Sequence, residues 1–322
     1  MSELFDTIVF LVQQMWFFSI PLLIVALGGM FSERSGVVNI ALEGIMVVGA
    51  FCSILFINMT QNSMSGQGLL LLAMLVAMAS GLLFSLLHAY AAINLRSNQT
   101  ISGTALNMFA PAFAIYTARV LQPNSVQQVE FTNTFRIASV PLLGDIPIIG
   151  PLFFQKTYIT TFIGIAILII ATFVLYRTRF GLRLRACGEH PHAADSVGVN
   201  VFRTRYAGVL ISGALAGLGG LVFVVPTSTN FNATVAGYGF LALAVLIFGQ
   251  WKPMRILVAA LFFGLMKTIA SAYSGISFLK DLFPSDIYKM IPYVATLVVL
   301  AFTSKRSQAP RASGVPYDRG GR

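Results

Sequence analysis

The 322-residue chain is 57% hydrophobic and only 10% charged. A soluble domain usually carries about 25% charged residues, so this composition excludes an ordinary water-soluble protein and requires much of the surface to face lipid. The 21 lysines and arginines outnumber the 11 acidic residues, a balance that in a soluble protein would indicate nucleic-acid binding. Here the basic residues lie between apolar runs and form no basic face with interleaved aromatics, so the positive-inside rule explains them better.

Apolar runs long enough to cross a bilayer recur along the chain. Since a membrane-spanning helix needs about 20 apolar residues, the sequence predicts an all-α integral membrane protein, a polytopic helical bundle of about 8–10 transmembrane helices with nine favoured. The predicted spans are approximately residues 8–31, 37–59, 69–95, 101–120, 158–176, 206–225, 238–248, 256–273 and 287–303. The first run lacks the basic start of a cleaved signal peptide, so we expect it to stay in the membrane.

Basic residues are distributed unevenly between the predicted connections. With the basic loop 177–205 placed in the cytoplasm, 15 lysines and arginines lie inside, 5 lie outside, and Lys267 lies within a span. Cytoplasmic loops retain such residues, so the distribution predicts an outside N-terminus and a cytoplasmic C-terminus. Residues 1–303 are predicted to form one transmembrane domain, and the polar, Pro- and Gly-containing residues 304–322 a disordered cytoplasmic tail.

Motifs for chemistry carried out by the chain itself are absent. The sequence has no Gly-x-x-x-x-Gly-Lys-Ser/Thr phosphate loop, no His-Glu-x-x-His motif and no Ser-His-Asp arrangement. Cys52 and Cys187 fall in different predicted compartments, which argues against a disulfide, and no Cys/His cluster has metal-ligand spacing. We therefore expect no enzyme, no catalytic residue and no bound metal or cofactor. Because Glu43 is nearly alone as an intramembrane carboxylate, energy for uphill transport is expected to come from elsewhere.

Polar residues interrupt the apolar runs at two places. Asn39 and Glu43 are four residues apart and share one helix face, and a second polar turn, in which Ser97 or Asn98 is expected to cap a helix, leads into the fourth span. Glu43 either pairs with Arg34 or a backbone end, or contacts a solute directly. The other residues either line a path or bond between helices. The residues predicted to line a solute path are Asn39, Glu43, Gln99, Thr100, Ser102 and Asn107.

The basic loop 177–205 contains a more specific pattern than a solvated loop requires. Residues 192–197 favour a short helix, because Pro191 stands near its start and Gly198 lies just past its end. A short cytoplasmic helix between two spans suits docking to a partner protein, and a merely solvated loop is the alternative. The residues predicted to dock are Gly188, Glu189, Pro191, Ala193, Ala194, Asp195 and Gly198. Farther along, the small residues of 211–221 favour close helix packing.

Several of these stretches together resemble a known family. They are residues 32–44 (SERSGVVNIALEG), 181–191 (GLRLRACGEHP) and 193–201 (AADSVGVNV), supported by the small residues of 211–220 and by 248–253 (FGQWKP). The set is similar to permease subunits of bacterial ATP-binding-cassette (ABC) importers of the class that serves ribose-like sugars, branched-chain amino acids and nucleosides, and most similar to the nucleoside branch. Gln99, where an acidic residue is expected, and Cys187 depart from the pattern.

The resemblance implies a function and a set of partners. It implies a multi-pass permease of the bacterial cell membrane that forms the solute path of an ATP-driven nucleoside importer. A second permease subunit, commonly a different chain, would complete the path, and two ATPases would dock from the cytoplasm. A coupling helix within 177–205 would meet the ATPase, and a solute-binding protein would approach from outside. The alternatives are the same machine carrying a simple sugar such as ribose, and a self-sufficient secondary transporter or channel.

The predicted outer loops are rich in amide and aromatic side chains. We expect these to help meet the binding protein, with plain solvated loops as the alternative. They are Asn124, Gln127, Gln128, Phe131, Asn133, Asn230, Phe231 and Asn232.

Overall fold

The computed structural model describes residues 2–122, 125–132, 134–272, 308–318 and 320, with isolated positions between 284 and 297. Within these residues the fold is built from ten α-helices. They are α1 (Ser2–Arg34), α2 (Leu42–Thr60), α3 (Gln67–Ile93), α4 (Gln99–Leu121), α5 (Ile159–Arg177), α6 (Arg179–Glu189), α7 (Pro191–Ser196), α8 (Val201–Thr227), α9 (Tyr238–Phe248) and α10 (Pro253–Ala272). Apart from isolated positions, the predicted ninth span, 287–303, lies outside the described residues.

The helices have the length and apolar character that a bilayer requires. Six of the described helices are long and apolar enough to cross a membrane, namely α1, α2, α3, α5, α8 and α10. Large apolar side chains remain exposed on their outer faces, such as Leu75, which is 62% exposed, and Ile169, which is 64% exposed. In water such faces would be unfavourable, whereas lipid accommodates them. The chain is a polytopic helical membrane protein, and the number of nine spans and the orientation stay predictions.

Two predicted helix boundaries differ from the structure. Helix α2 begins at Leu42 rather than near residue 37, because residues 35–41 form an irregular buried segment. Helix α8 begins at Val201, earlier than predicted, because the side chain of Asn200 caps it by accepting from the Arg203 N–H at 3.0 Å. Arg203 and Arg205 therefore lie on a helix rather than in a loop. By contrast, α9 has the bounds predicted for the seventh span.

Small residues bring α2, α3 and α8 into backbone contact. Gly217 of α8 lies against both Gly49 of α2 and Gly81 of α3. A Cβ added at Gly217 would come within 2.9 Å of the Gly81 Cα and would clash with the carbonyl oxygen of Ala77. This contact confirms the packing role predicted for 211–221, because helices approach this closely only where side chains are small.

Short strands cover the end of the bundle opposite to α6 and α7. Strand β1 (Val129–Glu130) pairs antiparallel with β4 (Asn230–Phe231), and β2 (Ile137–Ser139) pairs antiparallel with β3 (Gln155–Thr157), which follows a π-helical turn at Gly150–Phe154. Phe131 and Phe231 are buried in this layer, so these two rings are not displayed for a partner. The side chains of Gln127, Asn230 and Asn232 are exposed. Asn124 and Asn133 lie outside the described residues.

The C-terminal residues 308–318 pack against the end of the bundle that carries α6 and α7, which we call the basic end. This packing differs from the disordered tail predicted from residue 304. The N–H of Ala312 donates to the carbonyl of Gly188 at 2.8 Å, and Tyr317 is only 4% exposed. Composition could not reveal this, because an extended segment that packs on a distant part of the chain has the same polar, Pro- and Gly-containing character as a disordered one. Residues 304–307 lie outside the described residues.

Candidate functional site

Residues 35–41, which we call the α1–α2 break, run as irregular backbone through the interior of the bundle. Backbone polar groups buried in a membrane protein need partners, and side chains of other helices provide them. The Oε1 atom of Gln99 accepts from the Val38 N–H at 2.7 Å, and His88 Nε2 lies 2.9 Å from the Val38 carbonyl oxygen. Helix α4 thus holds the Val38 N–H through Gln99, and α3 holds the Val38 carbonyl through His88.

Two amide side chains extend this polar cluster. Asn107 donates from Nδ2 to the Ile40 carbonyl at 2.8 Å and accepts at Oδ1 from the Gly44 N–H at 2.7 Å, which joins α4 to the start of α2. Asn39 is fully buried and donates from Nδ2 to Ser212 Oγ of α8 at 2.9 Å. The two amides fix the break relative to α4 and α8.

The structure brings most of the predicted path residues together but leaves one aside. Ser102 joins the cluster, since its Oγ lies 3.2 Å from His88 Nδ1. Thr100 is exposed, and its N–H donates to Asn98 Oδ1 at 2.9 Å. Of the two predicted helix caps, Asn98 is therefore the one that caps α4. Sequence reasoning did not select His88, although a histidine within an apolar run was the available signal.

Glu43 uses its carboxylate on a neighbouring helix. Its Oε1 accepts from the Gly237 N–H at 2.9 Å and its Oε2 from the Gly239 N–H at 2.6 Å, both at the N-terminus of α9. With 11 residues, α9 is about 16 Å long, roughly half of the 30 Å hydrocarbon core. Trp251, just beyond the C-terminus of α9, donates to Glu33 at the end of α1, so α9 extends from that end only part of the way along the bundle. Glu43 thus caps a half-helix, where a negative charge is favourable.

A second polar cluster, the inner junction, forms where α1 ends. The Oε2 atom of Glu33 accepts from Trp251 Nε1 at 2.6 Å. Arg34 donates from Nη2 to the Trp251 carbonyl at 3.1 Å and pairs with Glu189 at 3.8 Å. The stretches 32–44, 181–191 and 248–253, which are distant in sequence, therefore meet in space. Sequence reasoning assigned no role to Glu33 or Trp251, because only the fold reveals that they are partners.

Helices α6 and α7 form a compact hairpin at this end of the bundle, which we call the α6–α7 hairpin. Thr178 caps α6 by accepting from the Gly181 N–H at 3.1 Å. Gly188 packs so closely on the Arg34 carbonyl that any side chain there would clash. Gly198 follows α7 with φ of +83°, a left-handed conformation that favours glycine. The extent of α7, Pro191–Ser196, agrees with the predicted short helix.

The hairpin presents a small exposed face. Ala194 is buried, whereas Ala193 and Gly198 are exposed and Val197 is 78% exposed. The exposed face thus consists of small residues and one apolar side chain, Val197. Behind this face Cys187 is buried, and burial raises the pKa of its thiol, so the group stays a neutral thiol.

Comparisons with known proteins agree with this architecture. Residues 11–300 match the family described as branched-chain amino acid transport system / permease component. The chain is 45% identical over 306 residues to the guanosine ABC transporter permease protein NupQ of Bacillus subtilis, covering 95% of both chains. It is 43% identical over 313 residues to the nucleoside ABC transporter permease protein NupC of Lactococcus lactis, covering 97% of this chain and 98% of the relative.

A more distant relative has a different solute in its name. The chain is 31% identical over 310 residues to the putative glucose ABC transporter permease protein TsgC13 of Haloferax volcanii, covering 90% of each chain. No solved structure matches the chain.

Proposed function

Because this chain belongs to the permease family of branched-chain amino acid transport systems, we propose that it is a subunit of an ATP-driven importer and forms part of the membrane path for nucleosides. The observation that carries the proposal is the near-full-length likeness to two permeases whose names specify guanosine and nucleosides. The likeness includes the polar segments and the hairpin, because each alignment covers at least 95% of this chain.

The half-helix α9 supports a solute without a negative charge. In transporters with broken helices, the N-terminus of a half-helix commonly binds an anionic group of the solute. Here Glu43 already occupies that position with two hydrogen bonds, to Gly237 and Gly239. A carboxylate-bearing solute would meet a like charge there, whereas a neutral nucleoside would not.

The amides of the α1–α2 break support recognition by hydrogen bonds. Within the described residues, Asn39 Oδ1 and Gln99 Nε2 are buried without a hydrogen-bond partner. Nucleobases carry both donors and acceptors, which side-chain amides can match. We propose that these two amides, together with Asn107 and Ser102, line the solute path, while Glu43 acts by holding α9 in place.

The α6–α7 hairpin supports a division of labour between chains. We propose that it docks on one of the two cytoplasmic ATPase subunits of the complex, through Glu189, Asp195 and the small residues around them. ATP is bound by those partners, and this chain itself binds no cofactor. A second permease subunit, a different chain in our proposal, completes the path, and an extracytoplasmic binding protein delivers the solute. The complex lies in the bacterial cell membrane.

The same machine carrying a simple sugar is the second candidate, because the glucose-named relative covers 90% of this chain. Reconstitution separates the two. The complete complex, with its binding protein, is placed in liposomes with internal ATP, and uptake of labelled nucleosides is compared with uptake of ribose and glucose. A third arm contains this chain alone under an ion gradient.

We expect ATP-dependent uptake of nucleosides, no uptake of sugars and no uptake by the chain alone. Sugar uptake without nucleoside uptake would contradict the nucleoside proposal and would support an importer of simple sugars. Uptake by the chain alone would contradict the dependence on a partner ATPase.

A further inference from the structure

We propose that residues 308–318 form a strap that holds the α6–α7 hairpin in its working position against the membrane helices. The consequence for transport rests on the proposed function, whereas the strap itself is a structural statement that can be tested separately. Helix α7 needs such support because of its size. A helix of six residues is far too short to be stable by itself, so its position depends on the surrounding contacts.

Hydrogen bonds of the strap's main chain join it to three parts of the protein. Ala312 N–H donates to the Gly188 carbonyl of α6 at 2.8 Å, and Gly314 N–H donates to the Gly36 carbonyl of the α1–α2 break at 3.2 Å. The Val315 carbonyl accepts from Arg205 Nη1 of α8 at 3.0 Å. The strap therefore ties the hairpin, the break and α8 to one another over four consecutive residues.

Tyr317 is the strap's main side-chain anchor. It lies in a buried cluster with Cys187 of α6, Ala194 of α7 and Val201 of α8. Its ring centroid is 5.1 Å from that of His192 and 5.6 Å from that of Phe202. Such aromatic pairs contribute beyond the apolar area that they bury. The ring thus contacts α7 and α8 directly and lies in the same buried cluster as Cys187 of α6.

Two polar contacts fasten the ends of the strap. The N–H of Gln308 donates to Gln250 Oε1, in the turn after α9, at 2.9 Å. The carboxylate of Asp318 accepts from Nη1 and Nη2 of Arg96, in the turn before α4, at 2.8 and 2.9 Å. Side-chain exposures of 49% and 46% make the second contact a surface ion pair, and such pairs contribute little to stability. A test of the strap should therefore remove the buried ring of Tyr317 rather than this ion pair.

Cys187 reports the state of the strap, because it lies in the same buried cluster as Tyr317. With Cys52→Ser removing the other thiol, Cys187 is labelled with a maleimide in the assembled complex in membranes. We expect slow labelling of the otherwise wild-type chain and about tenfold faster labelling of Tyr317→Ala, as local opening becomes easier. Tyr317→Phe keeps the ring and is expected to restore slow labelling. Tyr116→Ala, at a 71% exposed tyrosine of α4, is the matched control.

The second readout is the number of ATP molecules hydrolysed per solute imported. For Tyr317→Ala with unchanged subunit stoichiometry, we expect this ratio to rise several-fold, because a displaced hairpin would transmit ATPase closure poorly. Labelling equal to that of the otherwise wild-type chain would overturn the strap. Faster labelling with an unchanged ratio would overturn its positioning role. If the full chain shows no ATP-dependent uptake, the proposed function fails, while the labelling result still decides the strap.

Discussion

At the scale of single residues, Glu43 shows how an intramembrane carboxylate can have a structural role. Each of its oxygens accepts a hydrogen bond from a backbone N–H group at the N-terminus of α9. These donors belong to the first turn of a helix and have no partner within it. The carboxylate thereby supplies acceptors to a helix that begins within the bundle, where an unpaired N–H group would be costly.

Replacing Glu43 tests this role. In Glu43→Ala two buried donors lose their acceptors, and we expect the complex to lose about 1–3 kcal/mol of stability. Glu43→Gln keeps one carbonyl oxygen and should lose less. The measurement is thermal unfolding of the purified complex in detergent. Glu130→Gln, at an exposed carboxylate near the other end of α2, should unfold like the wild type. Equal unfolding temperatures for Glu43→Ala and Glu130→Gln would refute the capping role.

Sequence reasoning identified part of the site at this scale. Asn107 stands out because an amide inside an apolar run is costly unless it has a partner, whereas Asn39 and Gln99 belong to the polar segments that interrupt the runs. The structure brings all three to the α1–α2 break. Sequence reasoning did not identify Glu33 or Trp251, which lie more than two hundred residues apart in sequence and bond directly. Nothing in the local pattern around either residue specifies its partner.

At the scale of elements, the apolar runs predict the helices and the polar details determine where they begin. Helix α9 has its predicted bounds, since glycine and polar residues flank the apolar run on both sides. Helix α2 starts later than predicted, because side chains of neighbouring helices provide hydrogen-bond partners for the backbone of the break. Sequence periodicity does not reveal such contacts. The same limit applies to the strap, whose partners are distant along the chain. Packing by glycine, in contrast, was predictable from composition alone.

The glycine contact between α3 and α8 leads to a prediction for these elements. Gly217→Ala places a methyl group against the backbone of Ala77 and Gly81, and overpacking of this kind typically costs about 1–3 kcal/mol. We expect a lower yield of folded protein and a lower unfolding temperature. Gly68→Ala is the matched control, because a Cβ there meets only the tip of the Met64 side chain, at 2.8 Å. If both variants behave like the wild type, the helices do not depend on this close approach.

At the scale of the whole molecule, the fold links the end that carries α6 and α7 to the interior of the bundle. The inner junction, the hairpin and the strap lie together at the basic end, and the α1–α2 break connects them to the half-helix α9. The hairpin therefore lies close to the α1–α2 break, which holds the amide side chains that we propose line the path. This proximity gives a physical route from ATPase closure to helix movement, without any phosphate-binding motif in the chain itself.

The most direct test of this account reverses the charges of the hairpin. In the double variant Glu189→Lys and Asp195→Lys, we expect co-purification of the ATPase to fall at least about tenfold and ATP-dependent uptake to fall with it, because the variant reverses both charges that we propose contact the ATPase. Glu189→Gln isolates the loss of the Arg34 ion pair, and Glu130→Lys controls for added positive charge at the opposite end of the bundle. Unchanged ATPase assembly and unchanged uptake in the double variant would contradict the claim that this hairpin joins the permease to its source of energy.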